Sequence, residues 1–75
     1  MTLAEARKKV DLTQEEAALK LKISRSLVGL IELGRQRPSF GLAKRMARLY
    51  KQPINVLFFD FEGFKMNQKT GIPSL

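Results

Sequence analysis

Apolar residues recur at spacings of three and four along most of this chain, the mark of helices with one buried face. Leu3, Ala6 and Val10 share one stripe, and Ala17, Ala18 and Leu21 a second. Leu27, Val28 and Ile31 form a third, and Leu42, Met46, Leu49 and Tyr50 a fourth. Each stripe opens on a hydroxyl residue (Thr2, Thr13, Ser24, Ser39) able to accept from the unpaired N–H groups of a helix start. Thr2 with Glu5 and Thr13 with Glu16 have the full capping-box spacing, and Leu12, just before the second box, can staple to Ala17. The pattern predicts helices from Leu3 to about Val10, from Thr13 to about Leu21, from Ser24 to about Glu32 and from Ser39 to about Tyr50. Lys22-Ile23 makes the turn between the second and third. Gly34 suits the left-handed position that ends a helix, and residues 35–38 are loop. Pro53 suits the first turn of a short fifth helix ending near Phe59. From Asp60 to Leu75 the helical period stops, and Gly63, Gly71 and Pro73 suggest a tail or an extended arm. The expected fold is all-α: five compact helices over residues 1–59, then a C-terminal tail over 60–75.

Composition narrows the function. With 75 residues, 44% of them hydrophobic, the chain can bury one modest core. A net charge of +7 points to an anionic partner. With no Cys and no His, the chain lacks a disulfide framework, a thiolate metal site and the usual acid–base catalyst, so no metal, no cofactor and no enzymatic activity are expected. Met1 to Leu12 lacks the apolar core of a signal peptide, and the apolar run Val56 to Phe59 is far too short to span a bilayer, so no membrane partner is expected. Between Glu32 and Asp60 all six charged residues are positive: Arg35, Arg37, Lys44, Arg45, Arg48 and Lys51.

The third helix divides into two faces. Leu27, Val28 and Ile31 lie on one, and Arg25, Ser26, Gly29 and Leu30 on the other. Two capped helices joined by a tight turn, with a basic loop after the second, suit a scaffold that presents a helix to a DNA groove. Taken together, Leu12-Thr13-Gln14-Glu15-Glu16, Ile23-Ser24-Arg25-Ser26, Ile31-Glu32, Gly34, Arg35, Arg37, Pro38-Ser39 and the closing Val56-Leu57-Phe58 resemble the phage repressor and Cro-type helix-turn-helix family, also called XRE. The resemblance covers roughly Leu3 to Phe59. It implies a lambda-repressor-like domain with the helix-turn-helix at about 13–32 and residues 24–32 in the major groove. It further implies a homodimer on a near-palindromic double-stranded operator, in a cytoplasmic, nucleoid-associated phage or prokaryotic regulator, most simply a repressor.

By that resemblance Arg25, Ser26, Gly29 and Leu30 fall at base-facing positions. Gln14, Ser24, Arg35 and Arg37 resemble phosphate contacts, and Arg7 with Glu32 resembles a buried structural ion pair. The fork of Arg25 can donate twice to guanine; the competing reading is a phosphate contact or a solvated side chain. Ser26 discriminates weakly, because a hydroxyl both donates and accepts. Gly29 would let the backbone approach DNA, or pack against a neighbouring helix. Leu30 can press on a thymine methyl, or be an ordinary exposed leucine. Lys44 is a further candidate phosphate contact; the competing reading for Lys44, Arg45 and Arg48 is a solvated coat on the outer face of the fourth helix.

The departures from the family pattern are Lys22 where Gly is usual, Ala17 where a larger aliphatic is common, Gly29 for a frequent Ser, Leu30 for a polar residue and Leu33 for Asn. Lys22 costs stability and Ala17 thins the core, while Gly29, Leu30 and Leu33 make the recognition surface less polar. With Leu19, which should be exposed opposite the buried stripe of the second helix, and with Phe59, Phe61 and Phe64, which could form a dimer seam or close the core, they support an alternative: an antitoxin or small modulator that binds a protein on the same scaffold.

Overall fold

The computed structural model describes residues 1–58 and two short strands, 66–67 and 72–73. Among the described residues five helices make the fold: α1 (Leu3–Lys9), α2 (Gln14–Leu21), α3 (Arg25–Glu32), α4 (Phe40–Tyr50) and α5 (Ile54–Phe58). The fold class is all-α, as the periodicity predicts. Beyond the helices, β1 (Met66–Asn67) and β2 (Ile72–Pro73) pair antiparallel, Met66 with Pro73 and Asn67 with Ile72. The fifth helix ends at Phe58. Phe59, Phe61 and Phe64, the aromatic candidates for a dimer seam, lie outside the described residues, as does most of the tail expected over 60–75.

All four predicted N-caps form. Thr2 Oγ1 accepts from the Glu5 N–H at 3.0 Å while the Thr2 N–H donates to Glu5 Oε1 at 2.7 Å. Thr13 and Glu16 repeat the arrangement at 3.0 and 2.9 Å. Ser24 Oγ accepts from the Leu27 N–H at 3.0 Å, and Ser39 Oγ from the Leu42 N–H at 3.1 Å. Each satisfies a donor that the helix itself leaves unpaired.

The first four helices also end alike. A residue in the left-handed region follows each: Asp11 (φ 60°), Lys22 (φ 60°), Gly34 (φ 76°) and Lys51 (φ 59°). The next N–H then reaches back five residues, from Leu12 to the Arg7 carbonyl, Ile23 to Ala18, Arg35 to Leu30 and Gln52 to Ala47. This is the Schellman closure, which pairs orphan carbonyls and reverses the chain within two residues. Only one of the four stops is Gly; a side chain in that conformation costs roughly 1–2 kcal/mol. Leu12 and Ile23, the residues after two of these stops, pack against the core and help to offset that cost.

Ala6, Ala17, Leu21, Ile31, Leu42, Ala43, Met46, Tyr50 and Phe58 form the core. Ala6, Ala17 and Ala43 are fully buried, so α1, α2 and α4 approach closely where their side chains are smallest. Leu49, expected inward, is half-buried and packs against this cluster. Leu19 is 72% exposed, as its helical phase predicts. Arg45 does more than coat the outer face of α4: its guanidinium donates to the carbonyl of Leu21 and so ties α4 to the end of α2.

Candidate nucleic-acid interface

The position of α3 is set by one carboxylate. Glu32, in its last turn, accepts from Arg7 of α1 twice, Nε to Oε2 at 2.7 Å and Nη2 to Oε1 at 3.2 Å. It also accepts from Gln14 Nε2 of α2 at 3.0 Å. The remaining Arg7 nitrogen, Nη1, donates to the Leu12 carbonyl between α1 and α2 at 2.8 Å. Three helices therefore meet on a pair whose side chains are each 8% exposed. Burial pushes the Glu32 carboxyl up, but hydrogen bonds from Arg7 and Gln14 and the Arg7 charge outweigh it and hold the group below its ordinary value. Arg7 is raised in turn, chiefly by its hydrogen bond to Glu32. Tyr50 is fully buried and its hydroxyl has no hydrogen-bond partner among the described residues; burial, with the Glu32 charge adding to it, pushes its pKa up to about 12.

This clamp leaves the other side of α3 open. At about 100° per residue, Arg25, Gly29, Leu33, Ser26 and Leu30 fall in that angular order within a sector of about 140°. Leu27, Ile31, Val28 and Glu32 occupy the opposite sector and carry the packing. Arg25 and Ser26 are exposed, Leu30 is 40% exposed and Leu33 is 72% exposed. Gly29 is half-buried, and a Cβ there would meet the Gln14 amide nitrogen at 3.9 Å, an ordinary contact. The four predicted base-facing residues thus share one face. Leu33 joins them because its backbone stays helical (φ −80°, ψ −6°).

The predicted phosphate contacts are more dispersed. Gln14, Arg25 and Glu15 line one shallow groove with Lys8 of α1, a basic residue that the sequence did not single out. The Gln14 amide is oriented by Glu32 and keeps a second N–H for another acceptor. The Ser24 hydroxyl oxygen caps α3 and its O–H can still donate. Arg35 and Arg37 are exposed in the loop that leaves α3. Lys44 stands apart on α4, its Nζ 5.4 Å from the centre of the exposed Phe40 ring. Lys51 and Arg48 complete a run whose six cations are all exposed. Among the described residues no group of His, Cys, Asp and Glu could hold a metal ion, and no helix is long and apolar enough to cross a membrane.

Two capped helices, a turn with Lys22 in the left-handed conformation and a second helix with an open outer face are joined here in one unit, and the family model described as helix-turn-helix matches residues 3–57. The chain belongs to the helix-turn-helix family, in its Cro/repressor (XRE) type. Two relatives of this helix-turn-helix protein come from Archaeoglobus fulgidus. Each is named "Uncharacterized HTH-type transcriptional regulator". They are 39% and 36% identical over 61 residues, covering 80% of this chain and 87% and 86% of their own lengths. A third, from Methanothermobacter thermautotrophicus and with the same name, is 40% identical over 65 residues, 84% of this chain and 94% of its own. No solved structure gives a significant match.

Proposed function

We propose that this helix-turn-helix protein is a DNA-binding transcriptional regulator that reads double-stranded DNA in a sequence-specific way, with α3 in the major groove. One observation carries the reading: the face of α3 bearing Arg25, Ser26, Gly29 and Leu30 is turned away from the core while the opposite face is clamped. Arg25 donates to guanine O6 and N7, and Ser26 and Leu30 meet neighbouring base edges. The bare backbone at Gly29 lets the helix come close. Gln14, Ser24, Arg35, Arg37 and Lys44 hold phosphates, which set register but carry no sequence information. Two copies bind a near-palindromic operator in the cytoplasm and act as a repressor by occluding a promoter. The names of the archaeal relatives support the regulatory role.

Selection of bound duplexes from a random pool tests the proposal directly. An inverted repeat is expected, and retention of no duplex at low salt would end it. Arg25→Ala should relax preference at one base pair per half-site, by about 1–3 kcal/mol of discrimination. Arg35→Ala should weaken all duplexes alike and lower the salt slope by about 1. A second reading, a modulator that binds a protein on this scaffold, draws on Leu19, 72% exposed on the side of α2 away from the core. A protein that occupies that side and abolishes DNA binding would favour it.

A further inference from the structure

Leu30 and Leu33 sit three residues apart on the outward sector of α3, 40% and 72% exposed, with Arg25 and Ser26 ahead of them on the same face. The face thus changes character along its length, from charged and polar in the first turn to apolar in the last. Neither leucine contributes to the core cluster. We infer that this apolar end reads the 5-methyl groups of pyrimidines on adjacent base pairs, so that the methyl carbon, and not a hydrogen-bonding edge, sets specificity in this part of the site.

The inference rests on the proposed major-groove docking and deepens it. Thymine is the base that offers an apolar group in the major groove; the other base edges there present donors and acceptors. A leucine pressed on those edges strips their water and returns no hydrogen bond, so it selects by exclusion as well as by contact. Residues three apart on a helix are about 4.5 Å apart along its axis, close to the roughly 3.4 Å rise per base, so the two leucines span neighbouring steps. Charge decides between DNA and a protein as the occupant. Beyond Leu33 every charged side chain as far as Lys51 is a cation and exposed, and the sole nearby carboxylate of α3, Glu32, is bound to Arg7. An apolar strip framed in this way fits a polyanion that carries methyl groups.

A leucine cannot distinguish the O4 acceptor of thymine from the N4 donor of cytosine by hydrogen bonding. It follows that 5-methylcytosine should replace thymine at these positions better than cytosine does. The test uses the full chain and the duplex recovered by selection. Thymine is replaced by deoxyuridine one position at a time, and in a second series by 5-methylcytosine or cytosine paired with guanine. Uracil at one or two positions per half-site should weaken binding about threefold to fivefold, the worth of one buried methyl. At those positions 5-methylcytosine should bind more tightly than cytosine. In Leu30→Ala and Leu33→Ala, checked for unchanged thermal unfolding, each preference should disappear at its own position. Equal binding of thymine and uracil duplexes by the wild-type protein overturns the methyl readout and leaves DNA binding intact. A preference that survives both alanine variants overturns its assignment to the leucines. Failure to bind any duplex overturns the docking itself.

Discussion

The two faces of α3 contrast in how many partners each side chain has. Inward, Val28 is fully buried, Ile31 is 4% exposed and Glu32 receives three hydrogen bonds from two other helices. Outward, the side chains of Arg25, Ser26, Leu30 and Leu33 project from the same helix into solvent. One face spends its chemistry on position and the other keeps it available. A helix that must present side chains within a fraction of an ångström of a partner has to be held by residues that do not touch that partner. The buried Arg7–Glu32 pair does this for α3.

The largest effect that would break this contrast comes from Arg7→Met. It strands the buried Glu32 charge and should cost about 3–5 kcal/mol of stability, read by denaturant unfolding near neutral pH. The pH dependence sharpens the test. In the wild-type protein Glu32 is held below its ordinary value of 4.5, so its contribution is complete above that pH and is lost as pH falls through the lowered value. In Arg7→Met the burial effect loses its main opponent and the folded carboxyl rises, so acidification stabilises the variant. The gap between the two proteins should therefore narrow as pH falls below about 5. A gap that widens would show that Arg7 does not stabilise the Glu32 carboxylate.

Adjacent residues on opposite faces give the next test. Ile31→Ala removes a buried side chain and should cost about 2–5 kcal/mol. Leu30→Ala, one residue earlier, should stay within about 0.5 kcal/mol. Equal costs would erase the distinction between the faces. The smallest effect separates stability from recognition at one position. Gly29 has room for a methyl, so Gly29→Ala should stabilise the helix by up to about 1 kcal/mol. If the bare backbone serves close approach, the same variant should bind its operator less tightly, whereas unchanged affinity would make Gly29 a packing residue only.

The helix starts were legible and most of the helix stops were not. A cap acts over three residues, so Thr2, Thr13, Ser24 and Ser39 declare themselves in the sequence. The stops at Asp11 and Lys51 carry no such mark, because neither residue favours the left-handed region; only Gly34 announces itself, and Lys22 followed from the family resemblance. The conformation is imposed by the return hydrogen bond together with packing of the following segment. The candidate site divides in the same way. Helical phase was enough to group Arg25, Ser26, Gly29 and Leu30. It did not extend to Lys8, which joins the Gln14 groove from another helix. Arg45 was expected simply to face outward, and its bond to the Leu21 carbonyl depends on how α4 crosses α2.

From the amino-acid order alone came the five helices, their caps, the stripes that form the core and the outward face of the third helix, because each depends on interactions within about four residues along the chain. The convergence of α1, α2 and α3 on Glu32 and the burial of the Tyr50 hydroxyl, which has no hydrogen-bond partner among the described residues, were decided by tertiary packing. Their partners lie far apart in sequence, and a charge that is worth little at the surface gains its importance only once folding has removed the water around it.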